Sequence, residues 1–451
     1  MKALSLAVLT VVTLSSSISA STLGSNIQEN SLIVYNGGIG LVHEKRTLNV
    51  KSGDTSIIYE GVANTIDTNS VNIKLSDSIE LLSQQYRYDK ITQNKLLNAN
   101  IGKRVEVRVL KNREDFKIIT ATLLSNEAGK CVVKTTDYKI ISVNADDIIL
   151  SDIPPELITK PSLVWNIKVD ENINSHIELD YIIKNISWRA DYILNISKDS
   201  ANLAGWMTID NRSGKKFQNS NLKVLAGDLN YARKSLRRDY KMARNVMMSA
   251  PAVEHKAHEG YHIYSVPFKI DLANNEKTQI KFIDKKNIHI QRKYSATLSR
   301  PSYFRGEKES SVTQSLTLNN LDIEIPKGIV RSYSKMDKQN ILLGQTEINH
   351  TPKNRDINLV LGKNFDLKVT ETIVSRDDTK DRYDAKIKYT LQNSADEDKT
   401  IEIFVPFNKQ DDSKIKTSQP YKVKKGNLIA FNILVKANST KEFQAQFISK
   451  R

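Results

Sequence analysis

Residues 180–230 carry strand-like runs one after another, with only polar turns between them. The stretch reads DYIIKNISWRADYILNISKDSANLAGWMTIDNRSGKKFQNSNLKVLAGDLN. In 180–184 and 188–194 the apolar residues recur at short intervals and are mostly β-branched or aromatic, the mark of half-buried strands. Trp188 and Trp206, two of the three tryptophans, lie inside such runs. That placement favours a core or inter-sheet role over ligand stacking. Arg189 and Asp191 alternate with Ala190, so they share one strand face and read as fold-specifying.

The same rhythm extends along the chain. Short strands are predicted at 31–35, 41–50, 56–59 and 70–74, with turns at Gly37-Gly38 and Ser52-Gly53-Asp54. Residues 79–98 are more polar and read as a strand extension or a short helix. Alternating Val105, Val107 and Val109 open a further set at 118–124, 130–135 and 138–143. Four or five strands in so short a span predict a small SH3-like barrel over 99–153. Ile153-Pro154-Pro155 then interrupts the pattern, because proline cannot donate to a ladder. The expected organisation is an N-terminal β-sandwich (21–98), the barrel, a central sandwich region (154–362) and a C-terminal immunoglobulin-like sandwich (363–451). Hairpin-sized gaps outnumber helix-sized ones, so the fold class is all-β: tandem antiparallel sandwiches with one small barrel.

A repeated punctuation supports this. Strands run into Asn-x-Ser at Asn185-Ile186-Ser187 and Asn211-Arg212-Ser213, with a variant at Asn393-Ser394. Asparagine tolerates left-handed geometry and bonds nearby backbone, so it ends a strand cleanly.

Lys2, an apolar run at 3–14 and small residues at 15–20 read as a signal peptide cleaved after Ala20. The apolar run is shorter than the roughly 20 residues that span a bilayer. A periplasmic or secreted location is expected. The single cysteine, Cys131, excludes an internal disulfide and sits in a β-branched run, as a buried thiol does. The formal charge of +16 would point to nucleic acid in a cytosolic protein. After export, the polyanions within reach are lipid headgroups and cell-wall polymers.

Residues 231–260 break the strand rhythm. Arg233, Lys234, Arg237, Arg238, Lys241 and Arg244 face a single acid, Asp239, and Leu236, Tyr240, Ala243 and Met247 fall on one helical face. The segment reads as a solvated insertion or, alternatively, as a basic amphipathic element that contacts a polyanion.

Catalytic constellations are not evident. His255, His258 and His262 have chelating spacing, but without a His-Glu-x-x-His pattern, and no metal or other cofactor is expected. The paired acids Asp146-Asp147, Asp377-Asp378 and Asp411-Asp412 fall at strand ends or loops. Neighbouring carboxylates there are solvated, and do not face each other across a sugar. Nucleophile-elbow and phosphate-loop motifs are lacking. The basic strip Lys285-Lys286 with Arg292-Lys293, interleaved with Ile288, His289, Ile290 and Tyr294, reads as a solvated strand face or, alternatively, as a polyanion-binding strip.

Trp188-Arg189-Ala190-Asp191-Tyr192, Asn211-Arg212-Ser213-Gly214 and Leu222–Gly227 together resemble the bacterial secreted family known as domain of unknown function 4139. Val34-Tyr35-Asn36-Gly37-Gly38, Ser70-Val71, Asn320, Pro326-Lys327-Gly328, Arg331, Tyr333 and Gly344 extend the resemblance over most of the mature chain. It is carried by small dispersed motifs. The family's mucoidy-inhibitor branch has a long coiled coil, and sustained heptads are lacking here. The resemblance implies a β-rich exported protein without an agreed activity. It also marks Trp188, Arg189, Asp191, Tyr192, Trp206, Asn211, Gly214 and Gly227 as fold-specifying. The expected function is non-enzymatic: a structural or interaction protein that binds envelope components or partner proteins. The alternative is an envelope hydrolase acting on a polysaccharide or peptide. Export argues against nucleic acid as a partner.

Overall fold

The computed structural model of the chain describes residues 20–23, 27–111, 115–154, 156–227, 254–258, 261–408 and 413–450. Its regular secondary structure is nearly all strand, 68% against 3% helix. Among the described residues no helix is long and apolar enough to cross a membrane. The single α-helix described, Gln93–Ala99, is capped by the Thr92 side chain, which accepts from the backbone N–H of Lys95. It follows the strand Glu80–Arg87, so the ambiguous region 79–98 holds a strand and then a helix.

Strand Ile39–Val50 alternates strictly, burying Val42, Glu44, Arg46, Leu48 and Val50. It pairs antiparallel with Ile27–Tyr35 on one side and Ile173–Lys184 on the other. Ile27–Tyr35 in turn lies parallel to Phe217–Ala226. A second sheet runs Ala20–Leu23, Ser56–Glu60, Ser162–Lys168, Glu80–Arg87. Both sheets therefore mix strands from before residue 98 with strands from beyond 154. The expected separation of a sandwich at 21–98 from the central region differs from this pairing. Strands 27–60 would present open ladder edges on their own, and partners from 162–226 cover them.

Between these segments lies a five-stranded sheet, in the order Ile140–Asn144, Lys130–Thr135, Phe116–Glu127, Arg104–Leu110, Ile148–Ile149. A short 3-10 turn, Ala145–Asp147, precedes the last strand. The unit has its own core of Val105, Val107, Leu123, Cys131 and Val133, joined by Leu97 of the helix. Its sheet is not a closed barrel. Burial pushes the Cys131 thiol up from its ordinary range.

The largest sheet holds thirteen strands, and three of them cross between two hydrophobic cores. Glu276–Thr297 places Ile280, Ile283 and Ile290 in the first core and Ala296 in the second. Glu307–Leu321 and Arg355–Asp378 likewise contribute to both. The expected boundary at 362 thus falls inside a 24-residue strand. The crossover is marked by bulges at Ser311/Val312 and Gln314/Ser315, opposite Gly362 at φ +149°. A bulge adds twist and bends a strand, which lets one ladder serve two cores. The second core packs Val369, Tyr389 and Phe443 against Ile401, Phe431 and Ile433.

Candidate functional site

Several sequence-flagged residues bind the chain to itself. Trp188 is buried and its indole N–H donates to the Leu225 carbonyl at 3.0 Å. The buried Tyr192 hydroxyl donates to the Pro326 carbonyl at 2.7 Å. Asn211, at the end of its strand, donates to the carbonyls of Lys215, Leu272 and Ala273 and accepts from both Ser213 groups. Asn393 repeats this arrangement, donating to Glu397, Val435 and Lys436 and accepting from Ala395 N–H. Asn185 differs, sitting at φ +60° as a turn residue. Gly214 has φ +80°, and a Cβ there would lie 2.5 Å from that of Asn64. Gly227 has φ +142°. The basic side chains Arg233, Lys234, Arg237, Arg238, Lys241 and Arg244 lie outside the described residues.

On the outer face of the same sheet, Asp191 accepts from Arg189 Nε at 2.9 Å, Arg331 NH1 at 3.1 Å and Thr208 Oγ1 at 3.1 Å. Burial works against its ionised form, but these donors outweigh that and lower its pKa. Trp206, half-buried, lies directly across from it.

A second charged cluster, which sequence reasoning missed, occupies the first core. Glu44, fully buried, accepts from Arg46 NH2 at 2.6 Å, from the Tyr59 hydroxyl at 2.8 Å and from the Tyr181 hydroxyl at 3.3 Å. Lys215 Nζ donates to its other side. Arg46 stacks over the Tyr59 ring, 3.7 Å from the centroid, and donates to the Glu60 carbonyl. Desolvation disfavours the carboxylate, yet Lys215 and Arg46 prevail and hold Glu44 at about 2. Lys215 is shifted the other way, below its ordinary value, mainly by its own burial. The asymmetry follows from stoichiometry: one anion is shared by two buried cations. The available sequence signal was register, since Glu44 and Arg46 share parity with Val42, Leu48 and Val50.

Several other flagged acids and histidines have local partners. Asp146 accepts from Gln93 at 2.7 Å, and Asp147 pairs with Arg108. His262 lies 2.7 Å from Glu324 and stacks on His350. His255 and His258 belong to strand Glu254–His258, of whose side chains nothing is described, and Asp411-Asp412 lie outside the described residues. Among the described residues no three His, Cys, Asp or Glu side chains are grouped to hold a metal ion.

Open space occurs at one end of the second core, where residues 298–306 form a loop between two of the long strands. Arg376 crosses beneath this loop, its side chain 9% exposed, and donates to the carbonyls of Pro301 at 2.7 Å and Ser302 at 2.8 Å. Both carboxylate oxygens of buried Glu371 accept from Ser299 N–H at 3.1 Å. Asp378 joins the loop to the sheet by pairing with Arg305 at 2.7 Å and Arg376 at 2.9 Å. The loop is thereby fixed before any ligand arrives. Beside it lies a cleft of about 350 Å³, lined among others by Arg300, Ser302, Tyr303, Tyr383 and Lys450. Its lining is cationic and aromatic, with hydroxyls between. Such a cleft can hold an anion, and its positive charges lower the local proton affinity of any acid that enters.

No known family model matches the chain, and no curated protein does.

Proposed function

We propose that the chain is a non-enzymatic binding protein of the bacterial envelope, exported by its N-terminal segment, which engages an anionic envelope component through the cleft beside residues 298–306. The observation that carries this reading is the lining of that cleft: Arg300 and Arg305 on a loop pinned from below, with Lys450 at the end of strand Ser439–Lys450, while the nearby carboxylate Asp378 is held by Arg305 and Arg376. A fixed cationic cleft favours ligand capture, because little ordering cost remains at binding. Export makes cell-wall polymers and lipid headgroups the available polyanions.

The same reading places the chain with the secreted domain-of-unknown-function 4139 proteins, on the dispersed motifs around Trp188, Asn211 and Gly328. The five-stranded unit is read as SH3-like, since its first strand lies between its second and its last and a 3-10 turn precedes the last. The C-terminal unit is read as an immunoglobulin-like sandwich, since two groups of strands enclose Tyr389, Phe431 and Phe443.

The test is retention of the full mature chain on immobilised acidic and neutral polysaccharides across a salt series. Retention on the acidic matrix alone, weakened by salt and lost in Arg300→Glu, is the expected result. Equal retention on both matrices, or retention unchanged by Arg300→Glu, refutes the cleft as the binding site. A chain lacking residues 231–244 shows separately whether the basic segment contributes.

A further inference from the structure

We infer that the cleft beside residues 298–306 is a site for a phosphorylated sugar, with the phosphoryl group held by Arg300, Ser302, Tyr383 and Lys450 and the sugar ring resting on Tyr303. The inference rests on the cleft being the anion-binding site and adds the identity of the anion.

The donor set decides between anions. A carboxylate is planar and is satisfied by a two-pronged donor such as a single guanidinium. A phosphoryl group presents three oxygens in a tetrahedral arrangement and is best met by donors arriving from different directions. Here the donors come from three separate parts of the chain: Arg300 and Ser302 from the loop, Tyr383 from strand Arg382–Asn393, and Lys450 from strand Ser439–Lys450. Two of the four are neutral hydroxyls, which add hydrogen bonds without adding repulsion between cations.

Two observations mark a prepared site. Tyr383 is 4% exposed, yet it lines the cleft and its hydroxyl makes no hydrogen bond to the described residues. That hydroxyl is not sealed from solvent, so an acceptor entering the cleft can reach it without displacing a protein partner. Arg300 has no ion pair among the described residues, whereas its neighbours Arg305 and Arg376 are both spent on Asp378. One cation is thus left uncommitted at the mouth of the cleft.

Tyr303 supplies the second half of the ligand. It is 80% exposed on a loop whose backbone is clamped by Arg376 and Glu371. Tyr303 also lines a further depression of about 540 Å³, together with Ser299, Glu307 and Lys308. A rigid, exposed aromatic face beside an anion site offers the apolar C–H face of a sugar ring a surface to cover. The phosphoryl group anchors the ligand and the ring orients it.

The experiment is calorimetric titration of the full mature chain with glucose 1-phosphate, inorganic phosphate, glucuronate and glucose at constant ionic strength. Glucose 1-phosphate is expected to bind at least about tenfold more tightly than glucuronate, a difference of ~1.4 kcal/mol. Arg300→Ala should weaken it by about tenfold or more, and Tyr383→Phe, which keeps the ring, by a few-fold. Tyr303→Ala should reduce its affinity to that of inorganic phosphate while leaving inorganic phosphate unaffected. Equal binding of glucuronate and glucose 1-phosphate overturns the phosphoryl assignment and leaves the anion-binding cleft standing. Equal binding of inorganic phosphate and glucose 1-phosphate overturns the role of Tyr303. Failure of all four ligands to bind, with salt-sensitive retention on an acidic polysaccharide persisting in Arg300→Glu, overturns both the inference and the cleft.

Discussion

Replacing Glu44 with glutamine tests whether the first core is held by charge balance. The cluster of Glu44, Arg46 and Lys215 carries one negative and two positive charges, with Glu44 and Arg46 at 0% and 1% exposure. Glutamine preserves shape but keeps an oxygen acceptor for only one of Tyr59 and Tyr181, which donate to different carboxylate oxygens, and it removes the charge that Arg46 and Lys215 share. Removing one member of a buried ionic group costs about 3–5 kcal/mol. The pKa gives an independent figure: lowering a carboxyl from 4.5 to about 2 on folding corresponds to ~3 kcal/mol of stability at neutral pH. The folded pKa is depressed, so this contribution is complete above about 4.5 and is lost as pH falls towards about 2. Lys215→Met removes the cation whose burial is least compensated and leaves Glu44 paired with Arg46. It should cost less than about 1.5 kcal/mol or stabilise. Urea unfolding followed by tryptophan fluorescence reads this core, because Trp165 packs on Tyr59 with ring centroids 5.4 Å apart. Glu44→Gln should lower the midpoint strongly at pH 7, and the gap from the parent should narrow between pH 4.5 and 2. A larger loss from Lys215→Met than from Glu44→Gln, or a loss below about 1 kcal/mol from Glu44→Gln, would refute the charge-balance argument.

Three further substitutions probe the strand-end geometry. Asn211→Ala removes a side chain that donates to three backbone carbonyls; unfolding should show a loss of about 3 kcal/mol. Asn393→Ala should act as strongly on the second core, read by faster hydrogen exchange in strand Leu428–Val435. Gly214→Ala meets both φ +80° and the Asn64 side chain, and should cost about 2 kcal/mol. Adding Asn64→Gly should recover part of that in the same unfolding assay, since the strained dihedral remains.

The all-β character was legible because period-two burial is local. Val42 to Val50 and Ile186 to Ile196 state their own strands. Partnership is not local, and there the sequence reading and the structure diverge. Nothing within 27–60 announces that its ladders are completed by 173–184 and 217–226. Proline at 154 marks a real interruption, but the strand beginning at 162 rejoins the sheet that the chain left at Arg87. The Asn-x-Ser punctuation was visible, yet one pattern covers two devices, a left-handed turn at Asn185 and a carbonyl clamp at Asn211 and Asn393. The cleft was not legible at all. Arg300, Tyr303 and Arg305 read as ordinary surface until Arg376, some seventy residues later, is seen to hold their loop.

The distribution of charge connects the core with the cleft. Glu44 sits between Arg46 and Lys215, Asp191 between Arg189 and Arg331, and Asp378 between Arg305 and Arg376. Each of these carboxylates is shared by two cations among the described residues, an excess that agrees in sign with the chain's +16. The consequence depends on the surroundings. In the first core the group is buried, and the excess appears as an unfavourable burial of Lys215. At the Asp191 site solvent reaches Arg189 and screens it. At the third site Arg305 lines a cleft together with Arg300 and Lys450, with the Tyr383 hydroxyl open to an acceptor. There the missing charge can be supplied from outside, and an anion that enters gains from a field the fold has already assembled and fixed. The same two-to-one arrangement that burdens the core therefore becomes, beside residues 298–306, a reason to bind.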